Sequence, residues 1–544
     1  MNLRSIGGKL AVILLIWACF AQPHPLSAEA QAALPFDDIS HSYAIGAIVH
    51  LNGLHILNGT SPRIFEPTRA ISRAEWVALL DRLLALEPVA APVNPYRDVP
   101  KSAWYYEWVQ PAVQLGIAKG TAADRFEPGR PVTRQEAAVL FARALKLSTG
   151  APSRGDLSYL DRSAVDSWAL GAVRKLQQLG LMSGDQGKFR PQDPITRQEA
   201  AALIDRVASR PDWFDQTRKE PPASRIRMGW QYGQTTAQYK QQVAGSNVNT
   251  LSPRWFFLNA DGGLDDGADP SLTAWAHGRG LKVWSMAGNR FDPEATHRLL
   301  AQADLRKSFI QALSDSVRRN DIDGVNLDFE NIAPEDKDLL TQFVEELARQ
   351  LHAQGAVLSV NVSPDFGTDW TAAFDFAALG KRADYIVLMG YDEHWDGDPQ
   401  AGSVSSLPWL QQGLTALLGQ VPAGQTILAL PFYTRDWTES ASGTASSEWT
   451  LIRQNDFVSA LPLKPVWDDK LGQYTAVYWS GNVRHRIWLE DGRSLALKTL
   501  FGESRGLAGY AYWPMGGESP DIWVSLRNAI RYGSYRFDEG VPSQ

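Results

Sequence analysis

The sequence predicts a multidomain fold: an all-α module made of three repeats, followed by an α/β barrel of the (β/α)8 type. Two observations support this prediction. One helix–loop–helix pattern occurs three times in the first third of the chain, and the remainder alternates apolar, β-rich runs with helical periodicity. The length of 544 residues and the hydrophobic fraction of 44% allow several packed cores and exclude wholesale disorder.

The first residues are typical of an export signal. Residues 1–30 combine a basic start, an apolar run over 10–20 and an Ala-x-Ala cleavage pattern at 28–30. The apolar run is too short to span a bilayer, which takes about 20 residues. The single cysteine, Cys19, lies in this segment, so the mature chain is expected to be free of cysteine and of disulfides. A lipid-modified N-terminus at Cys19 is the alternative, and Trp17 fits that signal poorly.

The overall composition excludes one class of partner. Lys and Arg total 53 against 60 Asp and Glu, and the net charge of -7 gives no electrostatic footprint for nucleic acid. No segment after the signal is apolar enough to predict a membrane span. The 20 tryptophans outnumber the 16 tyrosines, which indicates a use for large, flat, amphipathic rings.

Each repeat is predicted to contain a helix, a loop with Gly and Pro, and a second, capped helix. The S/T-x-x-E capping boxes of the second helices begin at Ser72, Thr133 and Thr196. No copy can bury its apolar face alone, so the three should pack together. The predicted segments are repeats at 36–92, 93–150 and 155–208, a proline-containing linker at 209–224 and a barrel at 225–535.

An arginine follows the cap residue in every repeat: Arg73, Arg134 and Arg197. A cation is slightly unfavourable at a helix N-terminus, so its recurrence predicts anion binding beside free N–H groups, with solvated arginines as the alternative. The [ST]-R-x-E element resembles the S-layer homology repeat. That resemblance implies that the three arginines bind an anionic secondary cell-wall polymer, and that the protein is secreted and associated with a bacterial cell wall or S-layer.

The barrel prediction is based on eight apolar runs separated by helical segments. The runs lie at 225–230, 250–258, 281–288, 324–330, 357–362, 385–390, 426–431 and 506–513, with an insertion expected at about 434–505. A doubly wound sheet is the alternative, but no Gly-rich phosphate loop follows any of the runs.

The fourth run carries the candidate chemistry. Asn326, Asp328 and Glu330 share one face of the strand because side chains alternate. Glu330 falls at the carboxyl end, where barrels of this type place catalysis, and Asp328 is expected to raise its pKa by like-charge repulsion. The alternative is an acidic strand end that is hydrated or binds a cation. Two carboxyls on one side of a bond cannot act as acid and nucleophile from opposite faces, which favours a substrate-assisted reaction.

The segment IDGVNLDFEN resembles the D-G-x-D-x-D-x-E signature of glycoside hydrolase family 18, the chitinase-like family. The position of Asn326 is commonly Asp there, and the branch acting on peptidoglycan tolerates Asn. RIWLEDGRSLALK is further similar to the spore-cortex-lytic N-acetylglucosaminidase branch. The resemblance implies catalytic roles for Glu330, Asp328 and Tyr391. Substrate-binding roles are expected for Trp513, Asn326, Met389, Asp392, Trp230, Trp284, Trp395 and Tyr433.

The sequence thus predicts an enzyme, a glycosidase that needs no cofactor and no metal. Its partners are expected to be an N-acetylated glycan substrate and the wall polymer. Peptidoglycan is the favoured substrate and chitin the second candidate. A non-catalytic lectin-like barrel and a purely structural S-layer protein are the alternatives from other classes, and the intact Asp328 and Glu330 argue against both.

Overall fold

The computed structural model describes residues 34–151, 153–220, 225–440, 443–461 and 463–537. The predicted signal peptide therefore lies outside the described residues, as do the last four residues of the predicted linker. In the described ranges, a helical module precedes a closed parallel barrel, as the sequence predicts. Among the helices of these ranges, none is both long and apolar enough to cross a bilayer.

Each repeat contributes two α-helices. The pairs are Ile45–Gly53 with Arg73–Leu83, Tyr106–Gln114 with Arg134–Ala144, and Leu170–Gln178 with Arg197–Ala208; short 3-10 helices, Arg154–Asp156 and Arg162–Ala164, precede the third pair. The second helix of each pair begins at the predicted capping box. There the Ser or Thr oxygen accepts from the Glu backbone N–H, and the Glu carboxylate accepts from the N-cap N–H.

The three repeats close into a ring through their backbones. Ile71 N–H donates to the carbonyl of Ile195, Ile195 N–H to that of Val132, and Val132 N–H to that of Ile71, at 2.9–3.1 Å. The apolar faces of all three repeats form one continuous core. The ring therefore buries surface that a single repeat could not bury.

Residues 211–218 differ from the irregular linker that their proline predicts. They form a helix, Pro211–Arg218, with Pro211 in the first turn, where a proline loses no hydrogen bond. Trp213 is buried, with its ring centroid 5.7 Å from that of Phe537. This part of the connection is consequently packed against the C-terminal end of the chain.

Eight parallel strands close the barrel, and they correspond to the eight predicted runs. Strands 1 to 8 are Ile226–Trp230, Thr250–Ser252 with Arg254–Leu258, Lys282–Gly288, Gly324–Asp328, Val357–Val362, Tyr385–Met389, Thr426–Pro431 and Gly509–Trp513. Pro253, which has no N–H to donate, divides strand 2. Strand 8 pairs with strand 1, strand 1 with the first half of strand 2, and a short antiparallel strand, Leu264–Asp266, extends the second half.

Helices surround the barrel and cover the outer side of its strands. They are Thr236–Ala244, Pro270–His277, Pro293–Ala301, Ala303–Arg319, Lys337–His352, Asp369–Ala372, Phe376–Gly380, Leu407–Leu418, Gly492–Arg505 and Pro520–Ser534, with 3-10 turns at Pro334–Asp336 and Ala423–Gln425. One apolar core lies between helices and strands, and a smaller one fills the barrel interior.

The predicted insertion between strands 7 and 8 is a separate antiparallel sheet. Its strands are Tyr433–Ser440, Gly443–Thr450, Val466–Asp468, Gln473–Ser480 and Val483–Leu489, and its helix is Leu451–Ala460. The sheet begins two residues after strand 7, so one end of it stands beside the carboxyl ends of the barrel strands.

The helical module and the barrel share packed contacts. Tyr532, Tyr535 and Phe537, at the C-terminal end of the barrel, are buried in the core of the repeats. Arg527 donates two hydrogen bonds to the Glu87 carboxylate, at 2.7 and 2.8 Å. These contacts join the two modules into one body.

Candidate active site

The polar face of strand 4 points into the barrel, as its alternation predicts. Asn326 is completely buried, and Asp328 lies at the end of the strand. Glu330 follows just beyond the strand, at the carboxyl end of the barrel. The structure therefore brings the three predicted residues of this strand to one side of the same cavity.

A chain of neutral amides orients Asp328. The indole N–H of Trp230 donates to Oδ1 of Asn326 at 2.8 Å, and Nδ2 of Asn326 donates to Oδ1 of Asn361 at 2.7 Å. Nδ2 of Asn361 in turn donates to Oδ1 of Asp328 at 2.8 Å. An Asn at position 326 therefore still connects the barrel interior to Asp328, through hydrogen bonds rather than through a second charge.

Burial dominates the electrostatics of the two carboxyls. It raises the pKa of Glu330 well above its usual range, and the nearby charges of Asp328 and Asp392 raise this pKa further. Burial also raises the pKa of Asp328, while the bond from Asn361 and the charge of Arg254 oppose that increase. The sequence predicts like-charge repulsion as the cause of the raised pKa at Glu330; the structure makes it the second cause, after burial.

Asn289, which follows strand 3, fixes the backbone of Glu330 on both sides. Its Oδ1 accepts from the Glu330 N–H at 3.1 Å, and its Nδ2 donates to the Glu330 carbonyl at 2.7 Å. Asn331, the next residue, has a φ of 54°, a conformation that Asn adopts more readily than most residues. The turn after strand 4 is thus held in place, with the Glu330 carboxyl within range of the charges of Asp328 and Asp392.

The end of strand 6 supplies a tyrosine and a further carboxylate. Burial and the nearby carboxylates raise the pKa of Tyr391 well above its usual range, so its hydroxyl stays a hydrogen-bond donor. Asp392 accepts a hydrogen bond from the hydroxyl of Tyr433, which is 2% exposed. Tyr433 therefore holds the Asp392 carboxylate in place. Met389, which ends strand 6, belongs to the apolar core inside the barrel.

The predicted aromatic platforms separate into three groups. Trp513 ends strand 8 with its ring centroid 5.1 Å from that of Tyr232 and 6.1 Å from that of Trp230, which bonds Asn326. Trp395, after strand 6, is 53% exposed. Trp230 is buried and serves the amide chain. The expectation that Trp284 lies at a strand end is wrong. It pairs with Gly324 at the start of strand 4 and stacks on Tyr385, in the opposite half of the barrel.

The three arginines of the repeats lie at the interfaces between copies and are buried. Their Nε atoms donate to the carbonyl of a phenylalanine in the next copy: Arg73 to Phe126, Arg134 to Phe189 and Arg197 to Phe65, at 2.7–3.0 Å. Each guanidinium also lies over the ring of that phenylalanine. The arginines therefore join the repeats, which is a structural reason for their recurrence.

The free helix N-termini expected beside these arginines are already occupied. The backbone N–H groups of Arg73 and Ala74 donate to carbonyls of Arg130 and Pro128 in the next repeat, and the other two repeats do the same. The prediction that free N–H groups form an anion site beside these arginines is therefore wrong. A groove of about 460 Å³ does lie at one interface, lined by Arg197, among others.

The chemistry of the barrel defines a class of protein. A buried carboxyl with a raised pKa can deliver a proton near neutral pH, and Asp328, held by Asn361, lies close enough for its charge to raise that pKa. Within the described ranges, no cluster of three or more His, Cys, Asp or Glu side chains could hold a metal ion. The chain is a glycosidase built on a (β/α)8 barrel.

Comparison with known families gives the particular architecture. The chain carries three S-layer homology repeats and a glycoside hydrolase family 18 domain. Glycosyl hydrolases family 18 matches residues 257–518, and the S-layer homology domain matches residues 35–75, 95–138 and 158–201. S-layer homology domains bind cell-wall polymers and indicate anchoring at the cell surface.

Three proteins illustrate what the barrel is similar to. The uncharacterized glycosylase YvbX of Bacillus subtilis is 25% identical over 58% of this chain and 95% of its own length. The cortical fragment-lytic enzyme of the same organism is 24% identical, and the match covers 45% of this chain and 58% of that enzyme. The structure of a chitinase from Chromobacterium violaceum shares the fold, with a TM-score of 0.52 and 23% identity over 56% of this chain and 99% of that chitinase.

Proposed function

We propose that the protein cleaves β-1,4 bonds of N-acetylglucosamine-containing glycans, with peptidoglycan as the favoured substrate, by a retaining and substrate-assisted mechanism. The main support is that Asp328 ends strand 4 and Glu330 follows two residues later, close enough for the charge of Asp328 to raise the pKa of Glu330. From there, neither carboxyl can attack the face opposite the leaving group. The nucleophile is then the acetamido oxygen of the substrate itself.

In this mechanism Glu330 transfers its proton to the glycosidic oxygen as the acetamido oxygen bonds to the anomeric carbon and the leaving sugar departs. Asp328, held by Asn361, accepts the acetamido N–H and stabilises the positive charge of the oxazolinium-like intermediate. The Tyr391 hydroxyl donates to the acetamido oxygen. Glu330 then removes a proton from water, which opens the intermediate with overall retention.

The hydrolase proposal is tested by the Glu330→Gln variant. The variant should release no reducing ends from peptidoglycan or from chitin oligosaccharides. The wild type should release them from at least one of these substrates. Product analysis of both substrates in parallel then shows which of the two is preferred. Full activity in the variant would contradict the assignment. If the wild type binds both glycans and cleaves neither, the lectin-like alternative replaces the proposal.

We further propose that the protein is secreted and that the interfaces between its repeats bind an anionic secondary polymer of the bacterial cell wall. Support comes from one exposed aromatic residue at the same place in every repeat, two residues before the first helix: Tyr43, Trp104 and Trp168. Trp104 lines the groove that contains Arg197. Arg69 and Arg82 also line this groove, and an exposed ring beside such cations suits a glycan with acidic substituents.

Wall binding is tested best with these three aromatic residues, because replacing the buried arginines would also remove contacts between repeats. Changing Tyr43, Trp104 and Trp168 together to Ala should release the protein from isolated walls. Trp479→Ala, at a 65% exposed position on the insertion sheet, is the matched control and should leave binding unchanged. Undiminished binding by the triple variant would contradict the proposal.

A further inference from the structure

Arg254 is a cation at the catalytic cavity for which the mechanism above has no role. It opens the second half of strand 2 and pairs in register with Met286 of strand 3, whose side chain belongs to the barrel interior. Its guanidinium carbon lies 5.0 Å from the ring centroid of Tyr232 and 5.8 Å from that of Trp513. Arg254 therefore lies against the aromatic border of the cavity.

One buried donor of this guanidinium has no partner among the described residues. Its Nε is buried without a hydrogen-bond partner, and none of the described carboxylates forms a salt bridge with Arg254. By contrast, the buried Arg306 donates to both oxygens of Glu346. A partly buried guanidinium that is left unpaired is destabilising, so its position calls for a partner that arrives with the substrate.

The charge of Arg254 acts inside the catalytic cavity. It lowers the pKa of both Asp328 and Glu330 without touching either residue. The cavity otherwise presents a third carboxylate, that of Asp392, so an acidic substrate would be repelled if no cation opposed these groups. Arg435, on the insertion side, lies 3.8 and 3.9 Å from the carboxylates of Asp396 and Glu448, which already share its charge.

We infer that Arg254 binds a carboxylate on the substrate, namely the lactyl carboxylate of an N-acetylmuramic acid unit that carries no stem peptide and lies next to the scissile bond. This inference rests on the proposed hydrolase function and names its substrate class. A guanidinium stacked on aromatic rings keeps its edge free for a carboxylate, which it can bind through two N–H groups. Chitin has no such carboxylate, and the lactyl group of a peptide-bearing unit is an uncharged amide, so Arg254 would select peptide-free peptidoglycan strands over both.

The test compares two forms of one substrate. Peptidoglycan glycan strands with free lactyl carboxylates, and the same strands with these groups methyl-esterified, are given to the wild type and to Arg254→Met. The wild type should cleave the free acid with a kcat/KM about 10- to 100-fold higher, the range expected for a charge-assisted hydrogen bond. The variant should reduce this ratio to near one.

Arg290→Met is the matched control. Arg290 also lies over an aromatic ring, that of Phe257 at 4.3 Å, but it is paired with Asp265 at 2.8 Å. Its replacement should leave the ratio of the two substrates unchanged. If Arg254→Met does not fold, Arg254→Gln, which keeps a polar group and removes the charge, is expected to lower the ratio in the same way.

Two results obtained with an enzyme that cleaves the strands would overturn the inference. One is a wild type that does not distinguish acid from ester; the other is an Arg254 variant that slows both substrates equally, because Arg254 would then act only through the pKa of Glu330. A wild type that cleaves neither strand while cleaving chitin oligosaccharides would refute the carboxylate site alone. Failure on all of these glycans would refute the proposed function, and the inference with it.

Discussion

The side-chain amide of Asn361 should contribute to the rate of catalysis, because it donates a hydrogen bond to Asp328. Asn361→Leu keeps a side chain of similar size and removes both the donor to Asp328 and the acceptor for Asn326. Asn361 is 3% exposed, so solvent cannot replace these bonds. A hydrogen bond to a charged group contributes about 1.5–3 kcal/mol, which predicts a loss of kcat of about 10- to 100-fold.

The same variant should change the pH dependence. The Asn361 bond lowers the pKa of Asp328, so its removal raises that pKa. Asp328 must be ionised to accept the acetamido N–H, and the acidic limb of the kcat/KM profile should therefore move to higher pH. The assay is reducing-sugar release between pH 3 and pH 9, with melting temperature as the check on folding.

Ser359→Ala is the control for this prediction. Ser359 is buried and accepts a hydrogen bond from Asn326 at 3.0 Å, and it has no bond to Asp328. Its replacement should leave the acidic limb in place. If Asn361→Leu lowers kcat no more than Ser359→Ala does, or leaves the acidic limb unmoved, the amide chain is not what orients Asp328.

Two further predictions concern stability. Burial and the neighbouring carboxylates raise the pKa of Glu330 in the folded state above 4.5, so ionising Glu330 destabilises the native state. This cost is absent at about pH 4.5 and below, grows as the pH rises, and reaches about 1.4 kcal/mol for each unit of the increase in pKa once the pH exceeds the folded pKa. Glu330→Gln should therefore melt at a higher temperature than the wild type at pH 8 and at nearly the same temperature at pH 4; a variant that is less stable at pH 8 would contradict this assignment. Tyr535 and Phe537 are buried in the core of the repeats, and the Tyr535 hydroxyl donates to the Leu84 carbonyl at 2.7 Å. Calorimetry should show one unfolding transition for the wild type and two after both residues are changed to Ala, and two separate transitions in the wild type would show that the modules unfold independently.

The elements whose physics is local were predictable from the sequence. The capping boxes at Ser72, Thr133 and Thr196 set the starts of three helices, and all eight apolar runs became barrel strands. The alternation of strand 4 predicts Asp328 and Glu330 on one side, and in the structure the charge of Asp328 acts on Glu330. Ser359 and Asn361, two polar residues on one inward face of strand 5, were not predicted, although the alternation of that strand carries the signal.

The predictions that were wrong or missing concern features that depend on contacts between segments far apart in the sequence. The arginine after each cap looks like a free cation in sequence, but its partners are carbonyls of the next repeat, more than 40 residues away along the chain. Trp284 lies in the N-terminal half of its strand, so its distance from the cavity follows from the register with Gly324. The roles of Asn289 and Arg254 likewise depend on which loops and rings the barrel places beside them.

The central claim, that the substrate's own acetamido group is the nucleophile at a site with both carboxyls on one side, is tested most directly by the configuration of the first product. Proton NMR during cleavage of peptidoglycan strands records the anomer before it mutarotates. Retention predicts that the β-anomer forms first, because two inversions occur at the anomeric carbon. Initial release of the α-anomer would mean that water attacks directly, and it would contradict the roles given to Asp328 and Tyr391.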